Sequence, residues 1–190
     1  MSERRAKAIS RRRVLAIAGG ALVATAGAIA AVRTRGYAID PAVEAKLEAL
    51  RPWQYVVVQS VARRIAAPDE QGRRGAVPSS DETDVAGFVD AYVSRLPAPL
   101  RRDLLRALAF VEHLAPLAVG CASRFTRLSA DDQDRVLVSL ESNGEDLLRG
   151  AFDGLKSLVF MGYYRDPRTW RVLGYDGPRV DRPDEGWWRP

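Results

Sequence analysis

The chain has 190 residues, of which 47% are hydrophobic, and a formal net charge of +5; this length and composition are those of about one globular domain. His113 and Cys121 are the only histidine and the only cysteine. These counts exclude an intramolecular disulfide, a Cys-rich metal site and any Ser-His-Asp triad that does not use His113. The sequence also has no GxGxxG, P-loop or GxSxG motif.

The excess positive charge lies at the amino terminus. Residues 1–30 hold six basic side chains and one acidic one, whereas the other 160 residues hold 23 of each. A nucleic-acid-binding protein needs a basic face on its folded body, because it must displace the counterions of phosphate groups. The charge distribution therefore argues against a nucleic-acid partner.

Residues 1–32 have the pattern of an export signal. A basic segment meets an apolar one in a way that resembles the Ser/Thr-Arg-Arg-x-apolar-Leu pattern of twin-arginine signals, and the matching residues are Ser10, Arg11, Arg12, Val14 and Leu15. The apolar run Val14–Val32 is rich in Ala and Gly, so it is less hydrophobic than a strong membrane anchor. Ala28 and Ala30 provide an A-x-A cleavage site before Ala31.

The alternative is that this apolar run is retained as a membrane anchor. Its 19 residues, at about 1.5 Å each in a helix, nearly span a hydrocarbon core about 30 Å thick. With either a cleaved signal or an anchor, we expect the body of the protein in the periplasm or at the outer face of the cytoplasmic membrane.

Residues 33–39 are predicted to be a linker, and two helices are expected after it. The first begins at Asp40, which is suited to be its N-cap, and continues to Leu50. The second is Trp53–Ile65. The propensity of its run Val56–Val58 favours a strand, but an apolar period near 3.6 that continues to the end of the segment favours a helix.

The middle of the chain is predicted to be a loop followed by two helices. Residues 67–84 mix glycine, proline and charged residues, which is typical of a loop. Val85–Leu96 is the cleanest amphipathic helix, with apolar residues at three- and four-residue spacing. A further helix is expected from about Leu100 to Leu114, and proline and glycine break the stretch after it.

Two more helices are expected in the last third of the chain. Ser129 is suited to cap the first of them, which should end at Asn143-Gly144 with a left-handed residue. The second begins near Gly150 and is expected to end at Gly162, because Asp166-Pro167 prevents its return.

The last helix leads into an irregular stretch that is rich in aromatic residues and ends with the turn Tyr175–Pro178. A polar tail, residues 179–190, follows. The sequence therefore predicts an all-α domain at residues 40–178, a small bundle of about five to seven helices with an irregular aromatic hook at its carboxyl end.

Two sets of residues are candidates for catalysis. His113 and Cys121 are the obvious pair, but a proline and a glycine between them leave their separation open, and no third group that would orient a base is evident. A packed histidine and a small apolar cysteine are the alternative. Three carboxylates lie close together in the sequence: Asp131, Asp132 and Asp134. Their position in the first turn of a helix explains them by capping and the helix dipole alone.

The aromatic residues near the carboxyl end are candidates for binding a partner. Six of the ten Trp and Tyr residues fall in the last 28 positions: Tyr163, Tyr164, Trp170, Tyr175, Trp187 and Trp188. Trp and Tyr are enriched among the residues that dominate binding energy at protein interfaces. The alternative for Tyr163, Trp170 and Tyr175 is that they pack the hook onto the chain's own helices. For Trp187 and Trp188, on a tail with no apolar periodicity, the alternative is a disordered end.

Several motifs, in their order and spacing, resemble the gluconate 2-dehydrogenase subunit 3 family. They are Ser10–Leu15, Trp53–Pro68, Thr83–Leu96, Phe125–Ser129 and Phe152–Pro178, the last with Gly-Tyr-Tyr-x-Asp-Pro and Gly-Tyr-x-Gly-Pro. One feature departs from the pattern. Many small subunits of sugar dehydrogenases carry Tyr-Gly-Gly-Asn before the following Trp, whereas only Arg168-Thr169 separate Pro167 from Trp170 here, so the substrate of the complex is left open.

The resemblance implies a non-catalytic small subunit of an exported flavin-dependent dehydrogenase. Its partner would be a large flavoprotein of the glucose-methanol-choline type that holds the FAD, often with a cytochrome c subunit, and this chain would bind no cofactor. The twin-arginine signal of the small subunit would carry the folded large subunit through the twin-arginine translocase. The alternatives are a stand-alone exported helical binding or scaffold protein and a small hydrolase that uses His113.

Overall fold

The computed structural model describes residues 36–66 and 77–177, in which every regular element is a helix. The α-helices are α1 (Pro41–Glu44), α2 (Pro52–Ile65), α3 (Val85–Ser94), α4 (Ala98–His113), α5 (Ala115–Ala118), α6 (Ala130–Glu141) and α7 (Asp146–Tyr164). Two 3-10 helices, Phe125–Arg127 and Pro167–Leu173, complete the set in these ranges. The predicted all-α bundle is therefore confirmed for the described residues.

The chain divides after Tyr37, and all of these helices belong to the second unit. Within the two described ranges, no helix combines the length and the apolarity that crossing a membrane requires. The predicted export signal and cleavage site lie outside the described residues: Ser10, Arg11, Arg12, Val14, Leu15, Ala28 and Ala30. Trp187 and Trp188 lie outside them as well.

The core is built on helices α2, α3 and α7, with α4 and α6 packed around them. Each central helix contributes residues at helical spacing, and the fully buried ones are Val57, Val58, Val61, Val85, Val89, Val93, Leu155 and Val159. The run Val56–Val58 is helical, as expected. Its strand propensity is overridden because only a helix brings Val57, Val58 and Val61 to the same buried face.

Helix α1 is shorter than the predicted helix 40–50. Asp40 caps it as expected, its carboxylate accepting the N–H of Ala42 at 2.8 Å, but the helix ends at Glu44. The backbone N–H groups of the residues that should have continued it bind the carboxylate of Asp90 on α3 instead: Glu48 at 2.8 Å, Ala49 at 3.0 Å and Leu50 at 2.7 Å. The prediction was wrong because a distant, buried acceptor outcompetes the local helix.

The turn after α6 also differs from its prediction. The helix begins with Ser129 as its cap, as expected, since the serine hydroxyl accepts the N–H of Asp132 at 3.2 Å. It ends before Gly144, but this glycine does not take a positive φ. The side-chain oxygen of Asn143 accepts the N–H of Glu145 at 2.8 Å, which forms the turn without a left-handed residue.

The prediction that the last helix ends at Gly162 was wrong. This glycine lies inside α7, two residues before its end. It is buried where α7 meets α3. A Cβ atom at this position would lie 2.9 Å from Cδ1 of Phe88 and 3.2 Å from Cγ1 of Val85. The glycine is therefore required for the close approach of two helices rather than for a helix end.

Gly162→Ala is expected to lower the free energy of unfolding by about 1–2 kcal/mol, because the added methyl group overlaps α3 by more than alanine's higher helix propensity compensates. Gly154→Ala is the matched control on the same helix, since, apart from the surrounding backbone of α7, none of the described residues has an atom within 4 Å of the position that a Cβ atom would take there. It should raise stability by about 0.5–1 kcal/mol. Urea unfolding followed by circular dichroism measures both. An equal gain from the two alanines would contradict this account of Gly162.

Candidate partner interface at the carboxyl-terminal hook

The hook, residues 165–177, is fixed to the loop that precedes α3. Three side chains in or beside the hook donate to backbone carbonyls of that loop: the Tyr163 hydroxyl to Pro78 at 2.9 Å, Arg165 Nη2 to Thr83 at 3.2 Å and Arg168 Nη2 to Glu82 at 3.1 Å. The guanidinium of Arg165 also lies 5.2 Å from the centre of the Phe88 ring, a cation–π distance. The hook is thus attached at several points to a part of the chain more than 80 residues away.

The start of the hook is organised by Asp166. Its carboxylate accepts the backbone N–H of Arg168 at 2.9 Å and both Nε, at 3.0 Å, and Nη2, at 2.6 Å, of the same guanidinium. The hydrogen bonds from the Arg168 side chain, and to a smaller extent the one from its backbone N–H, lower the pKa of Asp166 to about 2. The hydroxyl of buried Thr169 donates to the Asp166 carbonyl at 2.8 Å. Together these contacts start the 3-10 helix Pro167–Leu173.

Trp170 connects the hook to the end of α7. Its indole N–H donates to the carbonyl of Tyr164 at 2.7 Å, one of the terminal carbonyls that a helix leaves without an internal partner. Its ring meets that of Tyr175 edge-on with centroids 5.3 Å apart, and the Tyr175 N–H donates to the Trp170 carbonyl at 3.1 Å. Gly177, at φ +107°, leaves only 3.2 Å between its Cβ position and Trp170 Cζ3, so a side chain there would displace the indole.

The structure separates the aromatic residues that the sequence grouped together. Tyr163 is buried, which raises the pKa of its hydroxyl, and this hydroxyl binds the loop inside the domain. Trp170 is half-buried within the hook. Tyr164 and Tyr175 remain 37% and 46% exposed. Of the four candidates in the described ranges, these two therefore offer the most surface to a partner.

Two further exposed apolar residues lie near these tyrosines, and no motif in the sequence marks them. Met161 lies one turn before Tyr164 on α7, and Leu173, 58% exposed, lies three residues after Trp170 in the 3-10 helix, where residues three apart are eclipsed. The ring of Phe160 stacks on that of Tyr164 with centroids 5.8 Å apart. We call this set the hook patch: Phe160, Met161, Tyr164, Trp170, Leu173 and Tyr175.

The candidate catalytic residues take part in packing and ion pairs. The ring of His113 lies 5.5 Å from that of Trp53, and Cys121 Sγ lies 4.0 Å from Arg135 Nη2. The carboxylate of Asp132 pairs with Arg135, which lowers its pKa. Asp134 accepts Arg64 Nε at 2.7 Å, which joins α6 to α2. In residues 36–66 and 77–177, no three His, Cys, Asp or Glu side chains are grouped so as to hold a metal ion.

The part of the chain from the first residue of α2 to the end of the hook matches a known protein family. The sequence-family model for gluconate 2-dehydrogenase subunit 3 matches residues 52–177, which is about two thirds of the chain. The chain belongs to the gluconate 2-dehydrogenase subunit 3 family. The match begins at the first residue of α2 and ends at Gly177, so in this subunit 3 the hook is part of the family domain. No curated protein and no solved structure gave a match.

Family membership confirms the resemblance found in the sequence and makes this chain an accessory type of subunit. A protein described as subunit 3 of a dehydrogenase works within a multi-subunit complex. The exposed, apolar hook patch is the kind of surface that such a complex requires.

Proposed function

We propose that this subunit 3 is a non-catalytic small subunit of an exported, flavin-dependent dehydrogenase of the glucose-methanol-choline type. It stabilises a large flavoprotein, which holds the FAD, and carries it through the twin-arginine translocase to the periplasm or the outer face of the cytoplasmic membrane. A cytochrome c is a further expected partner. The observation that carries the proposal is the family match over residues 52–177.

The hook patch supports the proposal because it is both apolar and preorganised. The Asp166–Arg168 pair, the Trp170 indole bond and the three hydrogen bonds to the loop before α3 hold the aromatic side chains in place. Side chains that are already ordered lose little conformational entropy on binding. The part of Trp187 and Trp188 in this interface stays a prediction, since they lie outside the described residues.

Export of both subunits should depend on the two arginines of the signal. Arg11→Lys with Arg12→Lys is expected to leave this chain and the co-expressed large flavoprotein in the cytoplasm, because the translocase reads the arginine pair on the small subunit alone. Arg4→Lys with Arg5→Lys, outside the pattern, is the matched control and should leave export unchanged. Fractionation, with flavin absorbance as the marker of the large subunit, is the measurement. Export of the flavoprotein by the Arg11, Arg12 variant would refute the escort role.

Binding of the large subunit should depend on the hook patch. Tyr164→Ala and Tyr175→Ala are each expected to cost about 2 kcal/mol of binding free energy, or about 30-fold in Kd. The control is Leu100→Ala with Val138→Ala, which truncates apolar residues that are 58% and 60% exposed on α4 and α6. Co-purification and titration of the flavoprotein compare the variants. A colourless monomer from the native host would instead favour a stand-alone binding protein.

A further inference from the structure

An apolar groove of about 330 Å³ lies between α4, α6 and α7, near the amino-terminal end of α7 and so at the opposite end of this helix from the hook. Its walls include Ala107 and Phe110 of α4, Leu140 of α6 and Leu147, Leu148 and Ala151 of α7. Leu147 is 83% exposed, and Arg106 and Asp103 stand at the side of α4, 3.1 Å apart. The groove therefore offers a mainly apolar concavity with charge at one side.

An uncharged strip on the outer face of α7 joins the hook to this groove. It passes from Met161 through Ser157, Gly154 and Gly150 to Leu147 at alternating four- and three-residue spacing, which keeps these residues on one side of a helix. Among the described residues, no atom beyond the surrounding backbone of α7 lies within 4 Å of the position that a Cβ atom would take at either glycine, so the strip is open there. From Met161 to Leu147 it is about 21 Å long, at 1.5 Å per residue.

We propose that the groove is the docking site of the chain's own carboxyl-terminal tail, with Trp187 and Trp188 as its occupants. The described chain stops at Gly177, which packs on Trp170 beside the end of α7. Trp187 follows ten residues later, and ten extended residues reach about 33 Å. This exceeds the length of the strip by about 12 Å.

The chemistry of the tail matches that of the groove. An indole combines a large apolar ring with one polar N–H, and Ala107 and Ala151 leave room for it between the larger side chains. Asp184 and Glu185 precede the tryptophan pair with Gly186 between them, and Arg189 follows it. The side of the groove on α4 likewise carries both signs of charge, in Arg106 and Asp103. The match therefore rests on the apolar indole rings, with charges of both signs beside them in the tail and at the groove.

Docking within one chain requires only a weak intrinsic affinity. Two groups joined by a short stretch of the same chain see each other at an effective concentration in the range of about 1 mM. A tail that bound the groove with a Kd of about 1 mM as a separate peptide would therefore be docked about half of the time. The groove lies apart from the hook patch, so the contact does not rest on the proposed function. It assigns Trp187 and Trp188 to the chain's own groove in place of the partner interface for which the sequence made them candidates.

Fluorine NMR of the full chain labelled with fluorinated tryptophan tests the proposal. The chain has four tryptophans, and Trp187→Phe and Trp188→Phe assign the two resonances of the tail. We expect at least one of them away from the position of tryptophan in an unstructured peptide, at every protein concentration. Ala151→Phe, which fills the groove, should return it to that position. Val138→Phe, on the exposed side of α6, should leave it unchanged, and the Trp53 and Trp170 resonances report that each variant is folded.

Three results would overturn the proposal. Tail resonances at the unstructured position in the native chain would show an empty groove. A shift that grows with protein concentration would assign the groove to a second copy of the chain, and a shift that appears only with the large subunit would assign it to that partner. As an independent readout, Trp187→Ser with Trp188→Ser should speed hydrogen exchange in residues 106–111 and 147–152, and unchanged exchange there would count equally against tail docking.

Discussion

Asp90→Ala should lower the free energy of unfolding by about 3–5 kcal/mol, because it removes the acceptor of three backbone N–H groups at once. Asp90 is buried on α3, and its two carboxylate oxygens bind Glu48, Ala49 and Leu50, which lie about 40 residues earlier in the chain. The buried N–H of Leu50 would carry a desolvation cost of about 1–3 kcal/mol without its acceptor, and those of Glu48 and Ala49 would each lose a hydrogen bond to a charged group, worth about 1.5–3 kcal/mol. Urea unfolding followed by circular dichroism measures the loss.

Two further variants show whether the acceptor itself is responsible. Asp90→Asn keeps one side-chain oxygen, which can still serve Ala49 and Leu50 as Oδ1 does now, so its effect should be clearly smaller than that of alanine. Asp103→Ala removes a carboxylate that is 68% exposed and should change stability by no more than about 0.5 kcal/mol. Equal effects of Asp90→Ala and Asp90→Asn would contradict the role given to the three N–H groups.

Glu112→Ala is expected to destabilise the fold by about 3–5 kcal/mol, the usual cost of removing one partner of a buried ion pair. The fully buried Glu112 carboxylate, at the end of α4, accepts the Thr126 N–H at 3.1 Å and the Thr126 hydroxyl at 2.7 Å. The guanidinium Nε of buried Arg124 lies 3.6 Å from the same carboxylate. In the variant, the buried guanidinium of Arg124 would lose the negative charge of Glu112 that lies beside it. Thermal and urea unfolding provide the measurement.

A double-mutant cycle separates the charge pair from simple packing. Glu112→Leu with Arg124→Met removes both charges and keeps apolar volume, so it should be less destabilising than Glu112→Leu alone. Phe125, which is fully buried and directly follows Arg124 in the sequence, should stay protected from hydrogen exchange in the double variant. If the two substitutions simply add, the carboxylate and the guanidinium do not stabilise one another.

Local pattern was enough to predict most of the helices. The periodicity of Trp53–Ile65 and Val85–Leu96 reports which faces are buried, and capping by Asp40 and Ser129 is a contact between near neighbours in the chain. Such signals are short-range, so the sequence displays them directly. The helices α2, α3 and α6 therefore lie close to their predicted positions.

The errors share a physical cause, which is that the deciding contact is distant in sequence. The end of α1 depends on Asp90, and the helical conformation of Gly162 depends on Phe88 and Val85. One signal was available in retrospect: Asp90 is the only charged residue of α3, a helix whose other residues are apolar or small. A charged residue in such a setting often serves backbone groups that need an acceptor.

The candidate interface was only partly predictable for the same reason. Tyr163 and Tyr164 are neighbours in the sequence, but successive residues of a helix point about 100° apart, so one enters the core and the other faces outward. Which of the two does so depends on where α7 packs on α3. The contribution of Met161 and Leu173 to the surface likewise follows from the geometry of the hook.

The attachment of the hook has a consequence for biosynthesis. The Tyr163 hydroxyl and the Pro78 carbonyl that it binds are 85 residues apart, and Arg168 reaches back over a similar distance. A nascent chain on the ribosome can form α2 and α3 early, but it cannot fix the hook until residues 165–177 have left the exit tunnel. The hook patch is thus completed after the helices to which it is attached, and an unfinished chain cannot offer it to a partner.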